Sequence, residues 1–388
     1  MNKSLYHPEI QRIKEALAPF KAFIKRPASE HLSFDYIVPG GPFQAQYDWD
    51  SFFMGVALAS EISSEAIYLR NCFLNFIINS KTNGKVVGCI SPMGYDNRYN
   101  HMKPFLAQGL YLAGKYLNEY SWLKKYWPRI KKVVLYREKY LWSKKYDLSV
   151  WYDGIESGFD NNVAVINYPN STVIGAELNT YVYREYKSMY LLAKIIDRKK
   201  DETDFRKKAD NILKHINHFL WHKEDEIFYN MHSETGKIIR RLSFTSLIPL
   251  FENLIDKEQG IKTIKKYLLS PDHFWSEFGI RSLSKSDPEY NNKEYLKPIS
   301  NWQGPVWPLN NYLGMQILLN YGFKDEAIEL ARKSANLLLN DIKTSRGMHE
   351  NYDAESGKPL SPDFKVSWNI LVANMLSEAL EAKNPFLI

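Results

Sequence analysis

The sequence predicts an all-α fold, a closed ring of six helical hairpins. Apolar residues recur at helical spacing through most of the chain, the resulting helices fall in consecutive pairs, and no Pro-, Gly- or Ser-rich linker divides them. The helical windows lie near 6–24, 50–62, 64–80, 101–119, 121–144, 174–198, 203–221, 243–254, 257–268, 307–321, 323–340 and 366–382. In the sixth, Ile174, Leu178, Val182, Met189, Leu192 and Ile196 form one apolar face. The eleventh repeats the pattern with Ile328, Ala331, Ala335 and Leu338, and Gly322 before it suits the residue just past the end of the preceding helix. Strand signals are short, and the best is a hairpin of 226–230 and 237–239 around a turn at 233–236. Twelve helices without a linker make one domain, 1–388, with an inner ring buried against an outer one.

Composition narrows the classes of partner. Hydrophobic residues make up 45% and aromatics 14%, enough for a large core. The net charge of +7 comes from 51 basic against 44 acidic residues. Its lysines, among them Lys124, Lys125, Lys131 and Lys132, are scattered over polar helix faces, and no nucleic-acid motif accompanies them. Cys72 and Cys89 are the two cysteines, which excludes a disulfide framework and fits a reducing compartment. The first twenty residues lack the apolar stretch of a secretion signal, and no run of apolar residues is long enough to span a bilayer. The expectation is a soluble cytoplasmic protein with no nucleic-acid or membrane partner; a homo-oligomer is left open.

Four long loops, 81–100, 145–173, 269–306 and 341–365, interrupt the helices. Loops of this length are functional or disordered, and the Trp, Tyr and Gly in these favour a pocket at one mouth of the ring. Trp49, Trp151, Trp275, Trp302 and Trp307, five of the ten tryptophans, fall in such loops or at their ends. Two loops carry acid. One reads Glu156-Ser157-Gly158-Phe159-Asp160-Asn161, and the other reads Met348-His349-Glu350-Asn351-Tyr352-Asp353. Cleavage of a glycosidic bond needs two carboxyl groups, one protonated to donate to the leaving oxygen and one ionised to activate water or attack. A solvated loop is the bland alternative for each.

Other segments are weighed in the same way. The segment 39–51 holds a Gly-Gly turn without phosphate-loop spacing, then Tyr47, Trp49 and Asp50. Asp50 fits equally as the cap of a helix beginning at Ser51 and as an acceptor for sugar hydroxyls beside the flat face of Trp49. The segment 300–308 adds Trp302, Gln303 and Trp307. His215, His218 and His222 share a helix face without a carboxylate, which argues against a metal site. No nucleophile elbow and no dinucleotide fingerprint occurs, so no metal or other cofactor is expected.

These loops, in this order, resemble the trehalase-like and glycoside hydrolase family 63 enzymes, over about residues 39–368. The resemblance rests on 39–51 as a Gly-Gly-x-Phe…Tyr-x-Trp-Asp-Ser opening, on 156–161, on the Trp-x-Gly-Pro-x-Trp-Pro segment of 301–308, and on His-Glu-Asn-Tyr-Asp…Gly in 349–357. It implies an (α/α)6 barrel that hydrolyses α-glycosidic bonds with inversion, Asp160 as acid and Glu350 as base. The chain is most similar to the compact mannosylglycerate and glucosylglycerate hydrolase type.

The expected substrate is therefore a small glycoside, 2-O-α-mannosyl- or glucosyl-glycerate. The alternatives are a trehalase or other α-glucosidase acting on a neutral disaccharide or short oligosaccharide, a different chemistry on the same barrel such as sugar epimerisation or polysaccharide lysis, and a non-catalytic sugar-binding barrel. Candidate binding residues are Tyr47, Trp49, Asp50, Gln108, Trp151, Gly158, Trp302, Gln303 and Trp307. Arg98, His101, Lys103 and Arg281 are the candidate partners of a glycerate carboxylate. The acid and base are expected roughly 6.5–9.5 Å apart across one cavity. Burial against Trp151 or Phe159 is expected to keep Asp160 protonated near neutrality.

Overall fold

A computed structural model describes residues 7–96, 100–294 and 300–388. Among these residues twelve helices of two turns or more follow one another: α1 (His7–Phe23), α2 (Asp48–Glu61), α3 (Ala66–Ile78), α4 (Leu106–Leu117), α5 (Leu123–Tyr140) and α6 (Ala176–Ile195). Then come α7 (Lys199–His215, carried on by a π turn to Leu220), α8 (244–251), α9 (257–268), α10 (Pro308–Asn320), α11 (Lys324–Ser345) and α12 (367–381).

The even-numbered helices form the inner ring. Helix α2 packs on α4, α4 on α6, α6 on α8, α8 on α10 and α10 on α12, and the first turns of α12 return to α2. The circle closes, and the fold is an (α/α)6 barrel. Sequence dictates which helix goes inside. In α10 every residue from Pro308 to Leu318 is buried, with Pro308 in the first turn, where its missing N–H costs nothing. An outer helix such as α7 buries a single stripe, Phe205, Ala209 and Ile212, and leaves its Lys- and Asp-rich face in water.

Polar groups on the inner helices are spent on joining them. Glu185 of α6 accepts from the free N–H groups of Ala107 (2.8 Å) and Gln108 (3.2 Å) at the start of α4. Glu378 of α12 accepts from Tyr312 (2.7 Å) and Gln316 (3.0 Å) of α10.

The structure corrects several boundaries. Helix α4 begins at Leu106 rather than 101, because Pro104 disfavours helix at Lys103 and the segment before it pairs with 86–87, Met102 N–H donating to Val86 O. Residues 226–230 do not form one strand. Ile227–Phe228 turns back on Trp221–His222, while Asn230–His232 pairs with Ile238–Ile239 on one side and Val173–Ile174 on the other. Gly322 does adopt a left-handed φ of +90° between α10 and α11. Both cysteines are free and buried, and burial pushes each thiol up to about 12. Among the described residues no helix is long and apolar enough to cross a membrane.

Candidate active site

The segments leading into α2, α4, α6, α10 and α12 meet around one cavity of about 410 Å³. The first acidic loop enters it through a single helical turn, Gly154–Ser157, capped by Asp153, whose carboxylate accepts from Glu156 N–H at 2.7 Å. Gly158 ends that turn at φ +81°, and a Cβ there would lie 2.8 Å from the Trp49 ring and 2.9 Å from Lys103 Cε. Glycine is what lets this loop lie against α2. Glu156 points away into a buried ion pair with Arg137 at 2.5 Å, and its other oxygen accepts from Tyr152 N–H. Asp160 lines the cavity. Asn161 fastens the loop to the third one: its Oδ1 accepts from Trp302 N–H at 2.6 Å and its carbonyl from Gln303 Nε2 at 3.0 Å.

The second acidic loop is organised by Asp341, near the end of α11. Its carboxylate accepts from His349 N–H (3.0 Å), His349 Nδ1 (2.8 Å) and Tyr352 Oη (2.7 Å). Tyr352 and Val306 exchange both backbone hydrogen bonds, at 2.8 and 2.9 Å. Glu350 is held between these anchors. Its Oε1 pairs with Lys365 Nζ, and its Oε2 accepts from Ser300 Oγ at 3.1 Å. The N–H of the same serine donates to Asp160 Oδ2 at 3.0 Å. Two hydrogen bonds and the span of one serine bound the distance between the two carboxylates at about 10 Å.

Aromatic rings form one wall. Trp49 meets Trp368 edge-on at 5.2 Å and Phe159 at 5.7 Å, and Trp302 lies beside both. Trp302 is backed by Trp307, stacked at 3.6 Å with 5° between planes.

Burial pushes Asp160 up to about 7; the Ser300 N–H opposes this, and the nearby Glu350 adds to it. Asp50 is also raised by burial, against the pull of Lys365. Burial alone would lower the Lys365 ammonium, but Glu350, Asp50 and Asp160 outweigh it and hold it above its ordinary value. Lys103 binds Asp48 twice, through its N–H at 2.7 Å and its Nζ at 3.2 Å.

Of the residues singled out by sequence, the structure brings Tyr47, Trp49, Asp50, Lys103, Gly158, Asp160, Trp302 and Glu350 to this cavity. Asp50 is not a cap. Helix α2 begins at Asp48, and Asp50 sits inside its first turn, accepting from Ser367 Oγ across the closure of the ring.

Six residues do not line the cavity. His101 stacks on Tyr136 at 4.4 Å and is held well below its usual range by burial and the nearby Arg137. Gln108 bonds Tyr181 O and Arg184 between α4 and α6. Trp151 donates to Glu177 at 2.7 Å. Arg281 donates to Trp275 O (2.6 Å) and Glu355 (2.8 Å). Gln303 is taken up by Asn161 and Asn291, and Trp307 lies behind Trp302. Arg98 lies outside the described residues.

Sequence reasoning missed Phe43, Ser300, Lys365 and Trp368 in the wall. Phe43 and Ser300 stood inside motifs already singled out. Nothing in the sequence marks Lys365, one lysine among many.

An (α/α)6 barrel with two carboxyl groups in its mouth fits a glycoside hydrolase of the trehalase-like type. Residues 120–367 match the mannosylglycerate hydrolase MGH1-like glycoside hydrolase domain, and residues 6–148 match the trehalase family. The chain belongs to the MGH1-like glycoside hydrolase family.

Its relatives are distant. It is 20% identical to the mannosyl-oligosaccharide glucosidase of Saccharomyces cerevisiae over 210 residues, 49% of this chain and 24% of that one. The chain thus spans about a quarter of the length of the first curated relatives it matches. It is 20% identical to the periplasmic trehalase of Escherichia coli over 382 residues, 83% of this chain and 63% of that one.

Among solved structures, the family 63 mannosylglycerate hydrolase of Thermus thermophilus, in complex with Tris and D-glycerate, has a TM-score of 0.69 at 14% identity. That match covers 94% of this chain and all of the other. The neutral trehalase of Saccharomyces cerevisiae has a TM-score of 0.68 at 16% identity, with 90% and 76% coverage.

Proposed function

We propose that this protein, a single catalytic unit over 1–388, hydrolyses a small α-glycoside with inversion, Asp160 acting as general acid and Glu350 as general base. One observation carries the reading: both carboxyl groups open on one cavity and are held by the same residue, Ser300, in unlike surroundings. Asp160, raised to about 7, keeps its proton near neutrality, while Glu350 faces an ammonium. In the reaction Asp160 donates to the leaving oxygen. Glu350 takes a proton from the water that attacks the anomeric carbon from the other face. The bound of about 10 Å admits the spacing at which such a water fits. Trp49 and Trp302 offer apolar faces for sugar C–H groups, and Asp50 offers acceptors for hydroxyls.

The substrate we infer is 2-O-α-mannosyl- or glucosyl-glycerate. A cavity of about 410 Å³ is small for a ligand site and suits a disaccharide-sized molecule. The family match and the end-to-end correspondence with a mannosylglycerate hydrolase support the same choice. One observation favours a neutral disaccharide instead. Among the described residues, the two lysines in the cavity wall are both already paired, Lys103 with Asp48 and Lys365 with Glu350.

Purified protein assayed on mannosylglycerate, glucosylglycerate, the matching glycosyl-glycerols, trehalose and kojibiose tests this. Release of sugar from mannosylglycerate or glucosylglycerate well above that from the matching neutral glycosyl-glycerol is the expected result. Equal cleavage of both removes the acidic aglycone, and cleavage of trehalose alone replaces it.

A further inference from the structure

Lys365 occupies a position the acid–base pair alone does not explain. It is buried, with 8% of its side chain exposed, and its Nζ pairs with Glu350 Oε1. The ammonium stands 4.2 Å from the Trp368 ring centroid and 4.6 Å from that of Phe43. Those faces fix it in place and keep water away from its flanks. Asp50 of α2 and Asp160 act on the same ammonium. Lys103, the other cation among the described residues of the wall, is tied to Asp48, and Asp363 also lines the cavity.

We propose that Lys365 is a positioning residue for the hydrolysis: by pairing with one oxygen of Glu350 it aims that carboxylate at the attacking water and balances its charge. This rests on Glu350 being the base. One cation among three carboxyl groups sorts them by distance. The group in direct contact, Glu350, is the one whose charge it favours most, whereas the hydrogen bond to Asp160 comes from a neutral backbone N–H. Both oxygens of Glu350 are then fixed, one by Lys365 and one by Ser300. In the chemical step the water oxygen bonds to the anomeric carbon and its proton passes to Glu350. The proton of Asp160 passes to the departing oxygen, and Lys365 keeps its own throughout.

The test compares Lys365→Met and Lys365→Arg with the unsubstituted enzyme, measuring kcat and KM from acid to mildly alkaline pH together with Tm. In K365M the acidic limb of kcat/KM moves to higher pH by about one unit, a tenfold loss at any pH on that limb. The fall is in kcat more than KM, and K365R restores the limb. Limbs that coincide in K365M and the parent, whatever the turnover or Tm, overturn the proposal, since a purely structural lysine gives that result.

A second readout needs no substrate. The coupling between two charges is reciprocal, so Glu350→Gln lowers the pH at which the Lys365 ammonium titrates in 15N-lysine NMR, the signal being assigned by its loss in K365M. An unchanged midpoint also overturns the proposal. Failure of the hydrolase reading looks different: the parent cleaves no α-glycoside, or E350Q retains activity, while the ammonium shift is still seen.

Discussion

Ser300 donates its hydroxyl to Glu350 at 3.1 Å and, through its own N–H, holds Asp160 at 3.0 Å. The two carboxyl groups lie 190 positions apart in sequence, and a residue of a third loop sets their relative position. The segment carrying Ser300 is in turn fixed to the first loop through Asn161 and to the second through Val306 and Tyr352. A displacement of one loop is therefore felt by both carboxyl groups.

Ser300→Ala removes the hydroxyl and leaves the N–H. A hydrogen bond to a charged group contributes about 1.5–3 kcal/mol, so kcat should fall roughly tenfold to a hundredfold with little change in KM. Steady-state kinetics on the substrate found in the screen reads this. A kcat within a factor of about two of the parent would mean that Glu350 needs no such tether.

Asp160 carries a pH dependence of known sign. Its carboxyl is raised from 3.8 to about 7 in the folded protein. The protonated form is the active one, so the alkaline limb of kcat/KM should fall through about pH 7. Stability follows the same proton: the contribution is fully present below the unfolded value and is lost as pH rises through the folded value. Asp160→Asn should therefore be inactive yet melt higher than the parent at pH 8, with the difference vanishing near pH 4. Melting curves at the two pH values read it.

Asp341 supports the base loop without lining the cavity. It accepts from His349 and Tyr352, and together with burial these contacts set its state; its hydrogen bonds hold the carboxylate below its usual value. Asp341→Ala removes the acceptor shared by His349 N–H, His349 Nδ1 and Tyr352 Oη and should cost about 2–4 kcal/mol of stability. It should also reduce kcat, because Glu350 lies next to His349. A normal Tm in this variant would show that the network carries little.

The helices were legible because the inner ring of an (α/α)6 barrel buries whole turns, and residues such as those of α10 announce it. Helix starts were less so. Pro104 delays α4, and α2 starts two residues ahead of the expected cap, which turns Asp50 from a cap into a side chain bonded to Ser367.

The loops that meet at the cavity could be read from their aromatic and glycine content. Which side chains face inward could not, because that depends on partners far away in sequence. Arg281 is drawn off by Glu355, Gln108 by Arg184 and Trp151 by Glu177, and none of these pairings has a local signature. Lys365 was invisible for the converse reason. A lone lysine reads as a solvated surface group until Glu350 and Trp368 are brought against it.

The anomer released first tests the central claim most directly. Hydrolysis of mannosylglycerate or glucosylglycerate followed by 1H NMR within the first minutes should show the β-sugar appearing ahead of mutarotation, with no release by Asp160→Asn or Glu350→Gln. The α-sugar appearing first, or release by either variant at the parent rate, would contradict an inverting acid–base pair of Asp160 and Glu350.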